Sequence, residues 1–217
     1  MLAKTIPAKA PGQAGRRVPT QQRARARVER MLAAAEELLV ANGIANLKLG
    51  DVAERAGVPI GSVYEYFSCR EDLLGALAER HYRVIEADTA KRFADIQTIE
   101  AMLVAVDLAI AEAWTYVRDN PGFREILCGV QAWEGLRELD WEDTMTNARI
   151  IAAAAAPFLP KIDADDVLAL FLVVCDAAGS TARLSLHFGA YEHTLQKTFR
   201  EMARNQFIEL VRLNATR

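Results

Sequence analysis

The chain is poor in cysteine, in aromatic residues and in long apolar runs. Its 217 residues hold three cysteines, Cys69, Cys128 and Cys175, far apart and odd in number. Such a set builds no disulfide framework and points to a reducing, cytoplasmic setting. The longest strongly apolar run, residues 167–175, is nine residues long and is bounded by Asp165, Asp166 and Asp176. A membrane-spanning helix needs about 20, so no membrane partner is expected. The basic residues near the N-terminus have no apolar stretch behind them, which argues against a secretory signal. No segment alternates apolar and polar residues with period two, so strands are not expected. No HExxH, CxxC, GxSxG, Walker A or GxGxxG motif occurs, and His81, His187 and His193 lack ligand spacing. No metal, cofactor or catalytic group is therefore expected.

What is present is a globular composition, 52% hydrophobic and 25% charged, long enough to bury a core. The net charge of −3 is unevenly spread. Residues 1–30 carry eight Lys/Arg against Glu29 alone, while residues 82–217 carry fourteen basic and twenty acidic groups. A basic end on an acidic body fits a polyanion-binding module joined to a non-binding one, and it equally fits a solvated tail.

Residues 1–19 contain Pro7, Pro11, Gly12, Gly15 and Pro19 with few large apolar groups. This composition reads as a flexible basic arm. From about Thr20 the pattern turns helical, with Val28, Met31, Leu32, Ala35 and Leu39 on one face until Asn42-Gly43. A short helix through Leu49, Val52 and Ala53 stops at Gly57, and Pro59 opens another to about Phe67. Ser68 and Glu71 have capping-box spacing, which starts a long helix. Two long helices fill the stretch before Pro121, with a junction near residues 95–98. Asn120-Pro121 marks a further start. Asp140 is expected to cap another helix that Pro157 and Pro160 end. Asp163 opens an apolar helix to about His187, and a last amphipathic helix spans about 191–212. The chain thus reads as all-α, with about nine helices.

Residues 43–67, GIANLKLGDVAERAGVPIGSVYEYF, hold two short helices joined at Ala56-Gly57-Val58. Small Ala at the crossing, Gly in the turn and Val after it are helix-turn-helix grammar. The second helix offers Ile60, Gly61, Ser62 and Tyr64 near its N-terminus, the end that enters a major groove.

These residues, with Ala34-Ala35, Gly43, Val52-Ala53, Tyr66-Phe67, Ser68 and Glu71, resemble the DNA-binding domain of the TetR family of repressors. The resemblance covers roughly residues 23–80. It implies a TetR-like all-α fold, with a three-helix helix-turn-helix domain over 20–70. A helical ligand-binding and dimerisation bundle would follow over 71–217. It also implies double-stranded DNA as partner, a palindromic operator and a homodimer through the last two helices. By position, Ile60, Gly61 and Ser62 would face base edges, Tyr64 a phosphate or base edge, and Tyr66 a phosphate. Two departures stand out. The Thr that usually caps helix 2 is Lys48 here, able to hold a phosphate but not to cap. The basic residue of the following loop is present only as Arg70, beside Cys69. Arg23, Arg25 and Arg27, with Arg16 and Arg17, add a basic run suited to phosphates.

The acidic body holds all three tryptophans. Trp114, Phe123, Trp133, Trp141, Met145, Phe171 and Cys175 could line a cavity for an apolar or aromatic effector, or simply pack a core. Asp176 interrupts an apolar helix. It could pair with Arg183, sit at a subunit interface or meet a ligand donor. The small residues Ala177, Ala178, Gly179 and Ala182 allow close helix approach. The reading is a cytoplasmic DNA-binding repressor, not an enzyme, released by a small effector. The alternatives are a helical ligand carrier or enzyme without DNA binding, and a DNA-binding dimer without an effector.

Overall fold

The computed structural model describes residues 14–216, and the side chains from residue 22 onward. The part of the expected arm at residues 1–13 lies outside the described residues. Nine α-helices follow in order: α1 (Ala14–Asn42), α2 (Leu49–Ala56), α3 (Ile60–Tyr64), α4 (Arg70–Phe93), α5 (Ile99–Asp119), α6 (Pro121–Gly129), α7 (Glu134–Ala155), α8 (Ala164–His187) and α9 (Glu192–Thr216). No strand occurs among the described residues. The first helix starts at Ala14, ahead of Thr20, so residues 14–19 are helix rather than arm.

The helix ends follow local chemistry. Thr98 accepts a bond from the Ala101 amide and Asp163 one from Asp165, opening α5 and α8. Asn120 stands at the N-cap of α6 with Pro121 behind it, yet its side chain donates to the Tyr116 carbonyl instead of capping. The capping expectation at Ser68 is off by one residue. Cys69 is the N-cap of α4, and the Ser68 amide and hydroxyl both donate to Asp72. Asp140 caps nothing, because α7 begins six residues earlier and carries it in its interior.

Helices α1 to α3 pack as one unit on Met31, Leu39, Val52 and Val63, all fully buried. Burying each such side chain stabilises by about 1.5–3 kcal/mol before entropy is counted. The body is built by α4 against α7, α7 against α8, and α8 against α9, with α5 and α6 closing the other side. Helix α4 touches α1 as well as α5, α6 and α7, so it belongs to both parts. Helix α8 is long and apolar enough to cross a membrane by length and composition alone, and 22% of its apolar window is buried inside the chain.

Candidate nucleic-acid interface and internal cavity

The turn after α2 is a Schellman closure. Gly57 takes φ +63°, its amide bonds the Glu54 carbonyl at 3.1 Å, and the Val58 amide reaches Ala53 O at 3.0 Å. This closure aims α3 outward. Val63 faces the core, while Ile60 is 44% and Tyr64 57% exposed. Gly61 is exposed and Ser62 half-buried. A Cβ on Gly61 would meet nothing within 4 Å, so its outer side is open. Lys48 is exposed ahead of α2 and forms no cap bond. Arg23 and Arg25 are exposed and Arg27 half-buried, all within α1. Among the described residues none of the three forms an ion pair.

Two expected contact residues are engaged inside the chain. Tyr66 is half-buried against the core. Arg70 donates to the Ala45 carbonyl at 3.1 Å and to Glu71 at 3.4 Å. Its guanidinium also lies 4.7 Å from the centre of the Trp133 ring. Arg70 therefore clasps the loop before α2 to the start of α7, a cation–π contact. Trp133 is part of this clasp and lines a separate recess between α4 and α7, beside Tyr66 and Leu136. Trp141 is 55% exposed under Arg137, and Met145 lies beside it on the outer side of α7.

A cavity of about 130 Å³ lies among α4, α5, α6, α7 and α8. Of the expected lining residues it gathers Trp114, Phe123, Phe171, Cys175 and Asp176. The Trp114 indole donates to the Ala178 carbonyl at 3.2 Å, which fixes its plane. Burial pushes the Cys175 thiol up to about 12, so it stays protonated and unreactive. Asp176 is exposed at the rim, so it needs no partner. It forms no ion pair with Arg183, whose Nη2 donates to Ser180 at 2.8 Å.

The sequence reading missed the polar lining. Tyr82 donates to Asp140 at 3.1 Å, and Asn147 donates to Asp143 at 2.9 Å. Burial raises both carboxyls, and for Asp143 burial and the Asp140 charge together bring it to about 7. The signal was present in the spacing. Leu136, Asp140, Asp143, Asn147 and Ile151 fall on one stripe of α7, whose ends are buried and apolar. Acids and an amide in the middle of a core stripe are the anomaly. Among the described residues no three His, Cys, Asp or Glu side chains gather as a metal cage.

Cavity and helix-turn-helix unit are joined through Phe123. It lines the cavity and stacks 4.9 Å from His81, a ring 4% exposed. His81 Nδ1 is 2.8 Å from the Tyr116 hydroxyl, and Nε2 lies 3.2 Å from Glu36 of α1 without hydrogen-bond alignment. Burial lowers the affinity of His81 for a proton, against the pull of Glu36. Glu36 also pairs with Arg80. A Cβ on Gly122 would fall 2.5 Å from Glu36 Cγ, so a larger residue here would push the Glu36 side chain aside where α1 meets α6.

The outer face of α8 and α9 is apolar and uncovered, with Val173 67% and Met202 61% exposed beside Leu184. An outward α3 on a closed helix-turn-helix marks a DNA-binding regulator, and the body beside it holds a separate, partly open cavity.

Comparison with known proteins agrees. The family model for bacterial regulatory proteins of the tetR family matches residues 31–77, and that for the tetracyclin repressor-like C-terminal domain matches residues 100–209. The chain belongs to the TetR family of transcriptional regulators. It is 29% identical over 140 residues to an HTH-type transcriptional regulator of Mycobacterium tuberculosis (Rv1255c in strain H37Rv, MT1294 in CDC 1551). The match spans 64% of this chain and 64% of that relative's length. A TetR-family regulator from Streptomyces coelicolor superimposes with TM-score 0.67 at 24% identity, over 85% of this chain and 99% of that one. SmeT, the repressor of the Stenotrophomonas maltophilia multidrug efflux pump SmeDEF, gives TM-score 0.64 at 15% identity, over 84% and 88%. At such identities the likeness is one of fold.

Proposed function

We propose that the chain is a cytoplasmic, homodimeric repressor that binds a palindromic operator and leaves it when a small molecule fills the cavity. Residues 20–70 would form the DNA-binding part and 71–217 the effector and dimerisation part. The observation that carries this reading is the α3 face, Ile60, Gly61 and Tyr64, exposed on a helix whose Val63 is fully buried. Such a face has no use within the chain and the shape of a major-groove reader. Ile60 would meet thymine methyls, and the Ser62 and Tyr64 hydroxyls bases or phosphates. Arg23, Arg25, Arg27 and Lys48 would supply salt-dependent phosphate contacts. Arg70 and Tyr66 would act by holding the reading unit against the body.

The uncovered face of α8 and α9 supports a two-fold dimer. Two copies would set their reading helices about one DNA turn apart, ~34–36 Å. A ligand pressing on Phe123 and Tyr82 would move α6 and α4, and through His81 and Glu36 would shift α1. The ligand need only bind the DNA-incompetent arrangement more tightly.

The test is selection of bound duplexes from a random pool, then titration of the selected operator across salt. Affinity should fall steeply with salt. Tyr64→Ala should lower specific affinity by about 10–100-fold while leaving helicity and melting unchanged. Parental affinity in that variant removes α3 as the reader.

A further inference from the structure

The polar patch inside the cavity is one-sided in its hydrogen bonding. The donors of Tyr82 and Asn147 are spent within the protein. The Tyr82 hydroxyl is given to Asp140, and the Asn147 amide to Asp143 and to the Asp143 carbonyl. What remains is acceptor capacity. Asn147 is 5% exposed, and its Oδ1 has no partner at all. An orphaned buried carbonyl is costly unless something donates to it. Beside it stand the carboxylates of Asp140 and Asp143 from α7, with Asp176 from α8 at the rim. Glu86 of α4 adds negative charge near Asp143. Arg183 of α8 is the one cation among the lining residues; its guanidinium donates to Ser180 rather than to these acids, and its charge only partly offsets the effect of burial on Asp140. The Thr89 and Thr144 hydroxyls serve as donor or acceptor. The opposite wall is apolar and aromatic, from Trp114, Phe123 and Phe171.

Resting on the effector reading above, we infer that the cavity takes an amphipathic organic cation. Its protonated nitrogen would donate to Asp143, Asp140 and Asn147 Oδ1, and its apolar body would lie against Trp114, Phe123 and Phe171. The volume, about 130 Å³, suits a body of one aromatic ring, since a dry cavity of ~150 Å³ holds benzene. The cation would complete Asn147 and neutralise a carboxylate pair that now repel each other. Asp143 titrates near 7, with Tyr82 and Glu86 facing it from α4, Asp140 from α7, and Cys175, Asp176 and Arg183 from α8. A bound cation favours its ionised form, so binding below that pH releases a proton.

The test uses four matched probes on the full chain: benzylamine, benzyl alcohol, toluene and benzoate. Binding is read by calorimetry, and operator retention is read in parallel. Benzylamine should bind about tenfold or more tighter than benzyl alcohol, and benzoate weakest. Its affinity should rise about tenfold from about pH 6 to about pH 8, as Asp143 ionises. Asp143→Asn, which keeps the volume, should abolish both the preference and the pH dependence. Toluene or benzoate binding as tightly as benzylamine overturns the inference, and so does no binding by any of the four at millimolar concentration. If benzoate binds tightest and frees the operator, the regulatory reading stands and the cation falls. If benzylamine binds tightest and the operator is retained, the cation stands and release falls.

Discussion

At the scale of single residues, the buried carboxyl of Asp143 is the most consequential group in the body. Its folded pKa lies near 7, above its unfolded value of 3.8. A raised carboxyl binds more protons in the folded state between those limits. Its contribution therefore weakens stability as pH rises from about 4 to about 7, and the penalty is complete above that. Raised Asp140 acts with the same sign. His81 has the opposite one: its lowered pKa costs stability as pH falls below the ordinary histidine value. The variant isolates Asp143 from both. Asp143→Asn should stabilise the ligand-free protein by roughly 1–3 kcal/mol near pH 8 and by nothing near pH 4. Urea titrations at the two pH values check it, and equal effects at both would refute the assignment.

At the scale of elements, the Arg70 clasp ties the loop before α2 to the junction ahead of α7. Arg70→Ala removes the bond to Ala45 and the stacking on Trp133 together. It should lower stability by about 1–2 kcal/mol. It should weaken operator binding without lowering the salt slope, because no phosphate contact is lost. A slope reduced by about one would instead make Arg70 a phosphate ligand.

The elements also show what local sequence grammar can carry. Gly57 with Ala53 and Val63 spells one turn and no other, so the helix-turn-helix was legible from spacing alone. The capping register at Ser68 was not. Glu71 and Asp72 both follow at plausible distances, and only the backbone path decides for Asp72. Asp140 satisfied the local signature of a cap while serving as a mid-helix cavity group. Its stripe keeps the 3.6-residue period, but with polar residues in the middle, where apolar periodicity alone does not pick it out. The aromatic residues gave the opposite error. Composition says how many rings there are, whereas their facing depends on helix packing, so Trp114 fell inside and Trp133 and Trp141 did not.

At the scale of the whole molecule, function would depend on a second copy. Val173 and Met202 lie exposed on the outer face of α8 and α9. A two-fold interface there would bury each of them twice. Val173→Glu with Met202→Glu should raise the dimer dissociation constant on the order of 100-fold, through desolvated like charges. Sedimentation should then show monomers with native helicity, and operator affinity should fall with dimerisation. Unchanged dimers would move the interface elsewhere.

The tight seat of Glu36 against Gly122 has a mechanical corollary. A joint with spare room absorbs a small push before passing it on; this one is tight, because a methyl group on residue 122 would displace the Glu36 side chain. Phe123, one residue along, forms part of the compartment wall. Under the effector reading proposed above, a shift of α6 around a guest would reach the first helix through the Glu36 side chain.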